Sequence, residues 1–300
     1  MIAFTATMGK RPMIWDDHLK KNNLIAGLID TNVTLVDWNY DPDYQPKSIL
    51  TLRSCGFNNV IMAPSISCWR NRIIPSKPQL RNVDTHAAQV QKGNARGMIN
   101  TVWLPMRYLQ NSMWYGMAYS AYLINSDKPA NMKKFNRVFA RKTFGLFLDP
   151  KMYAFLESWS SLHPDRRFFS AIANNDFKIL KDINKLDELE ALRDRSEQVI
   201  SLATKTTPRK NDDIFESMLL SAQITYIMSE GLLILADEEN MSASRKNAAL
   251  DILQDVIDRT SMEWDKGRFP DDPAKYKSKF PNQTNSHLLI VLRLLLDQMT

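Results

Sequence analysis

The sequence predicts an α/β segment followed by an all-α one: a partial (β/α)-barrel of about four parallel β/α units, then a helical C-terminal region. Three observations predict it. Short apolar strands recur through the first third, each followed by a helical stretch, and that alternation implies parallel pairing through crossover connections. The strands are continuously apolar, as strands buried on both faces are. After Asp127-Lys128-Pro129 the strand signals stop and long segments of helical periodicity take over. The expected division is therefore residues 1–127 as the barrel segment and 128–300 as the helical domain.

Each element has its own signal. The first strand, residues 11–15, reads RPMIW and closes on Asp16-Asp17; a helical pattern follows at 23–29. Residues 33–38 are β-branched and apolar and break into Asn39-Tyr40-Asp41-Pro42. A helix at 46–53 stops at Ser54-Cys55-Gly56, with glycine in the left-handed capping place. The third strand, 59–63, is stopped by Pro64; a long loop over 65–82 holds Pro75 and Pro78, and a helix at 84–92 ends at Gly93. The fourth strand, 97–103, is stopped by Pro105, and an aromatic-rich helix covers 113–124. Helices are then expected at 133–144, 151–162, 176–203, 212–236, 242–260 and 286–299. Ser242 suits an N-cap, and Pro208 and Pro270 mark connections.

Bulk composition narrows the function classes. The chain is globular in composition, 44% hydrophobic and 24% charged, and its net charge of +6 is spread among interspersed acids and bases. Nucleic-acid binding asks for clustered Lys and Arg, so no nucleic acid is expected as a partner. Cys55 and Cys68 lack metal-ligand spacing, and His18, His86, His163 and His287 are scattered, so no metal and no cofactor are expected. The apolar run 288–296 is shorter than the roughly 20 residues of a membrane span and carries Arg293, so no membrane partner is expected. No signal peptide is legible on the chain as given, which reads as soluble; its compartment is left unassigned.

The functional case rests on the strand ends. In parallel α/β architectures the ligand site lies at the carboxyl ends of the strands. Strand one delivers Trp15-Asp16-Asp17, strand two Asp37-Trp38-Asn39-Tyr40, and strand four Trp103. Tryptophan offers a broad apolar face with one N–H donor, which suits the C–H face of a sugar ring, while carboxylates, amides and a phenol at the rim suit its hydroxyls. Asp16 and Asp17 alternate across a strand end, so only one of them faces inward. The plainer expectation is that these tryptophans are core and the acids are loop or capping groups. Trp159 and Trp264, in the helical half, are expected to anchor helix packing.

Taken in order, the motifs Ile14-Trp15-Asp16-Asp17, Val36-Asp37-Trp38-Asn39-Tyr40, Val60-Ile61-Met62-Ala63-Pro64 and Thr101-Val102-Trp103 resemble strands five to eight of the glycoside hydrolase family 20 barrel. That family comprises the β-N-acetylhexosaminidases, and the resemblance covers about residues 10 to 125 of this chain. It implies that Trp15, Trp38 and Trp103 surround the N-acetyl group of a terminal N-acetylhexosamine. It also implies a substrate-assisted retaining mechanism, in which the acetamido group attacks the anomeric carbon. Trp69 or Asn71 would replace the family's sugar-binding Tyr and Asp near strand seven, and the Glu common after the last tryptophan is absent, since Leu104-Pro105 follow Trp103. The family's Asp-Glu catalytic pair would lie before Trp15, where only fourteen residues stand, so it is expected upstream of this chain and no catalytic residue is assigned on it.

The expected substrate-binding set is Trp15, Asp16, Asp17, Asp37, Trp38, Tyr40, Trp69 and Trp103, and the expected partner is a glycan containing N-acetylhexosamine. Four parallel strands cannot close a barrel of about eight, so the open sheet edge calls for a cover: self-association, the helical half, or a missing N-terminal half. Two alternatives stay open from sequence: a non-catalytic carbohydrate-binding or scaffolding protein, and a different barrel glycosidase.

Overall fold

The computed structural model of the protein describes residues 5, 7–17, 19, 23–44, 47–66, 73–103, 108–126, 131–266 and 287–300. The chain forms two compact units. One comprises residues 1–67, 78–102 and 116–131; the other comprises 68–77, 103–115 and 132–300.

In the first unit the strands β1 (Met13–Trp15), β2 (Thr34–Trp38), β3 (Val60–Ala63) and β4 (Gly97–Met98) form a four-stranded parallel sheet in sequence order. Ile14 pairs with Leu35, Leu35 with Val60, and Ile61 with Gly97. The alternation begins as expected with the helices α1 (Asn23–Ala26) and α2 (Lys47–Ser54). Helix α2 closes in the predicted way: Gly56 takes φ 90°, and the Phe57 and Gly56 N–H groups return to the Leu52 and Arg53 carbonyls at 3.1 and 2.9 Å.

Two elements differ from expectation. Helix α3 is Lys77–Gln91, seven residues longer at its start than the sequence pattern indicated. Pro78 sits at its second position, where a missing N–H breaks no helical bond, so this proline opens the helix and does not belong to the loop. Strand β4 is regular only at Gly97–Met98. The ladder nevertheless runs on, through Ile99 N–H to the Met62 carbonyl (2.9 Å) and a bridge between Ser65 and Thr101.

Helices cover one face of the sheet, and on the other Val36 and Ala63 are buried as well. Ile14, Leu35, Leu52 and Phe57 pack in one cluster, and Ile49, Val60, Met62, Val90 and Met98 in a second, which fixes the helix side of each strand. Burial of Leu35, Ile49, Leu52 and Phe57 contributes about 1.5–3 kcal/mol each. Side chains alternate along a strand, so Met13, Trp15, Val36, Trp38, Ile61 and Ala63 lie on the opposite face.

The second unit is helical: α5 (Met132–Phe144), α6 (Pro150–Trp159), α7 (Arg166–Asn174), α8 (Ile183–Ala203), α9 (Asp212–Ala236), α10 (Ala243–Asp265) and α11 (His287–Met299). Helix α4 (Trp114–Ile124), which follows β4 in the chain, is divided between the units after Tyr115. Acceptors cap four of the helices: Asp149, Asp165, Asp182 and the expected Ser242. Helix α9 is long and apolar enough to cross a membrane by length and composition, and most of it is buried among its neighbours, as the central helix of a bundle is. A Cβ on Gly231 would stand 2.9 Å from Met299 Sδ and 3.0 Å from Leu295, so this glycine sets how closely α9 and α11 approach. Glu230, also on α9 and buried, takes a two-pronged ion pair from Arg245 (2.6 and 2.8 Å) with Arg193 at 3.6 Å, tying α8, α9 and α10 together. Trp159 is wholly buried and donates to the Met218 carbonyl at 2.8 Å and to Ser221 Oγ at 3.0 Å.

Candidate functional site

The carboxyl ends of the four parallel strands lie together at one end of the sheet, and each brings a different group. At the end of β1, Trp15 is 44% exposed and Asp16 is fully buried, while Asp17 is half-buried at the start of a helical turn. Asp16 continues the ladder, its N–H donating to the Val36 carbonyl at 3.3 Å. The two acids thus differ in burial, and Asp17 lies beyond the strand.

Along β2, Asp37 shares the Leu35 face, the side covered by helices. It is fully buried, and Ser48 on α2 donates to its two carboxylate oxygens at 2.9 and 3.1 Å. The Tyr44 hydroxyl hydrogen-bonds Ser48 Oγ in turn. Burial, and after it the negative charge of Asp37, raise the Tyr44 phenol above its ordinary value, so it stays protonated at neutral pH. Because the carboxylate only accepts, the chain has one direction: Tyr44 donates to Ser48, and Ser48 to Asp37. Trp38, on the other face, is half-buried, and its ring lies 4.9 Å from that of Tyr40 at 38°.

Asn82 on α3 holds the loops that follow β2 and β3. Its amide nitrogen donates to the carbonyls of Asn39 (2.9 Å) and Asp41 (2.8 Å), and its oxygen accepts from the Ser65 N–H at 3.0 Å. His86, one turn along, is buried, with Nδ1 2.8 Å from the Asn82 carbonyl, and it stacks on Tyr44 at 5.2 Å and 28°. A carbonyl only accepts, so Nδ1 carries a proton. Thr101 fixes the end of β4 by donating both N–H and Oγ1 to the Pro64 carbonyl, each at 2.9 Å. Trp103 follows two residues later and is 46% exposed. Trp69 and Asn71 lie outside the described residues.

Sequence reasoning missed Tyr44, Ser48, Asn82 and His86, which together fix the rim. Asn82 and His86 are four apart on a buried helical face, and a polar pair so placed was their one legible signal. Chemically the set pre-orders a loop that presents Trp38 and Tyr40 and immobilises the Asp37 carboxylate. Among the described residues no group of three or more His, Cys, Asp or Glu side chains is placed to hold a metal ion.

The class defined so far is an α/β unit with a four-stranded parallel sheet, accompanied by a helical unit. No protein-family model matches the chain, and no curated protein matches it. Among solved structures, a GH138 enzyme targeting pectin rhamnogalacturonan II is similar over 98% of this chain, at 11% identity and a TM-score of 0.49. The chain spans 56% of that protein's length.

Proposed function

We propose that this protein binds carbohydrate at the carboxyl ends of its strands, as part of a glycoside hydrolase barrel of the β-N-acetylhexosaminidase kind. The supporting observation is that Trp15 and Trp38 share the face of the sheet turned away from the helices, on neighbouring strands. Trp15 is level with Val36, so Trp38 stands one strand over and two residues along, at about 8 Å between Cα atoms by strand geometry. Two indoles at that spacing, one of them 44% exposed, offer an aromatic floor for a pyranose ring. Tyr40 and Asp17 supply rim hydroxyl and carboxylate groups, with Asp16 and Asp37 behind the floor.

On this proposal the substrate class is a glycan ending in β-linked N-acetylhexosamine, and the reaction is substrate-assisted, retaining hydrolysis. Residues of this chain are assigned binding roles only, and no general acid is assigned among them. Titration with N-acetylglucosamine thiazoline, followed by tryptophan fluorescence, tests it. A saturable change at millimolar ligand is expected, and a folded sample with no change would refute the sugar site.

One observation favours a second reading, a non-catalytic carbohydrate-binding protein. Asp16 and Asp37 are both fully buried, and Asp37 is held by Ser48. A catalytic carboxylate must reach its substrate, and on this chain only Asp17 among the three is partly open. Turnover of aryl N-acetyl-β-hexosaminides, assayed on the chain extended through any upstream coding sequence, separates the two.

A further inference from the structure

Between α5 and α6 the chain turns through residues 145–149, and this turn is fastened at both ends. The Arg209 N–H donates to the Phe144 carbonyl at 2.9 Å and Asn211 Nδ2 to the Thr143 carbonyl at 2.6 Å. On the far side Asp149 accepts from the Met152 N–H at 2.9 Å. Leu146 is buried, yet the next two residues, Phe147 and Leu148, are 69% and 88% exposed. Leu148 also has φ 52°, in the left-handed region that a leucine enters only against steric cost. A side chain that covers no core and sits on disfavoured backbone does nothing for the fold. What the turn accomplishes is to hold two adjacent apolar side chains out in water on a fixed convex tip.

The surroundings of the tip are basic. The Arg141 guanidinium lies 6.0 Å from the centre of the Phe147 ring. A Cβ built on Gly145 would stand 3.4 Å from Arg209 and 3.7 Å from Lys210, so both stems pack against the turn, and Lys142 is exposed in the last turn of α5. Of the nearby acids, Asp149 is engaged in capping α6, and Asp212 and Asp213 belong to the first turn of α9.

We propose that this tip is a peripheral docking site for an anionic lipid surface. Phe147 and Leu148 enter the acyl boundary while the cations sit at headgroup level. A bilayer fits better than a folded acidic partner because the apolar area is two side chains on a convex turn. That falls far short of the roughly 800 Å² per partner of a stable protein interface. Such contact needs no membrane span, and it stands independently of the sugar site.

Co-sedimentation of the full chain with vesicles of phosphatidylcholine and phosphatidylserine at about 3:1 tests it. Binding is expected to these vesicles, to fall as salt is raised, and to be absent from pure phosphatidylcholine. Leu148→Asn suits the left-handed backbone and should keep thermal stability at or above that of the parent chain. It should nevertheless weaken vesicle binding about ten-fold, because the leucine that would enter the acyl boundary is lost. Absence of sedimentation, or equal binding by Leu148→Asn, overturns the proposal. So does capture on polyglutamate-coated beads without vesicle binding, which would assign the tip to an acidic protein.

Discussion

Tryptophan has two fates in this molecule, and the contrast between the sheet and the helical unit explains them. In the helical unit Trp159 and Trp264 are 0% and 3% exposed, and Trp159 has its N–H matched by the Met218 carbonyl and Ser221. At the end of β1, in the sheet, Trp15 is 44% exposed. The helices bury aromatic area to gain stability, whereas the strand ends leave it open and secure the backbone around it with buried polar groups. Exposure alone does not make a site, since Trp114 on the first turn of α4 is as open at 49%. What distinguishes Trp15 and Trp38 is their shared face and the Asn82 clamp on the loop that follows Trp38.

That contrast can be broken by substitution. The largest effect is expected for Trp159→Ala, which removes a fully buried indole and two hydrogen bonds and should cost about 3–5 kcal/mol, read by denaturant unfolding. Glu230→Ala follows: it removes the two-pronged hydrogen bonds with Arg245, whose side chain is partly exposed, and should cost about 2 kcal/mol in the same assay. Asn82→Ala should cost about 2 kcal/mol by stranding the Ser65 N–H and two loop carbonyls. It should also raise hydrogen exchange at residues 39–44 while leaving the helical unit unchanged; uniform exchange would contradict the clamp.

Asp165→Asn is a smaller, pH-dependent case. Burial opposes ionisation of Asp165, but the hydrogen bonds of Arg167, joined by Lys185, outweigh it and hold the carboxyl well below the usual carboxylate range. A depressed folded pKa gives stability that is present above the unfolded pKa of about 3.9 and lost as pH falls toward the folded value. The substitution keeps a capping acceptor but loses solvent-screened ion pairs, so it should cost about 1 kcal/mol or less at neutral pH, with the difference from the parent shrinking below about pH 4. Equal gaps at pH 7 and pH 3 would contradict the assignment. Trp15→Ala should move stability least, by about 1 kcal/mol or less, because its ring covers little core.

Much of the fold was legible in the sequence because it is written in local signals. The β1, β2 and β3 runs, the capping glycines Gly56 and Gly93, and the helices at 132–144 and 212–236 each follow from periodicity or capping chemistry within a few residues. Helix α7 was missed, since Arg166–Asn174 is short and follows Pro164, which reads as loop. The start of α3 was hidden by Pro78. The rim of the site was not legible for a different reason: Asp37 meets Ser48 eleven residues away, and Asn82 meets Asn39 forty-three away. Such pairings depend on the sheet having formed and leave no mark in neighbouring residues. The tryptophans were visible as residue types, but which of them open to solvent is settled by tertiary packing.

The central claim is that the open indoles at the strand ends bind sugar, and isothermal titration of N-acetylglucosamine into the parent chain and into Trp15→Ala tests it most directly. Saturable heat from the parent and none from the equally folded variant is the predicted result. Identical heats from the two proteins, or none from a folded parent, would contradict it.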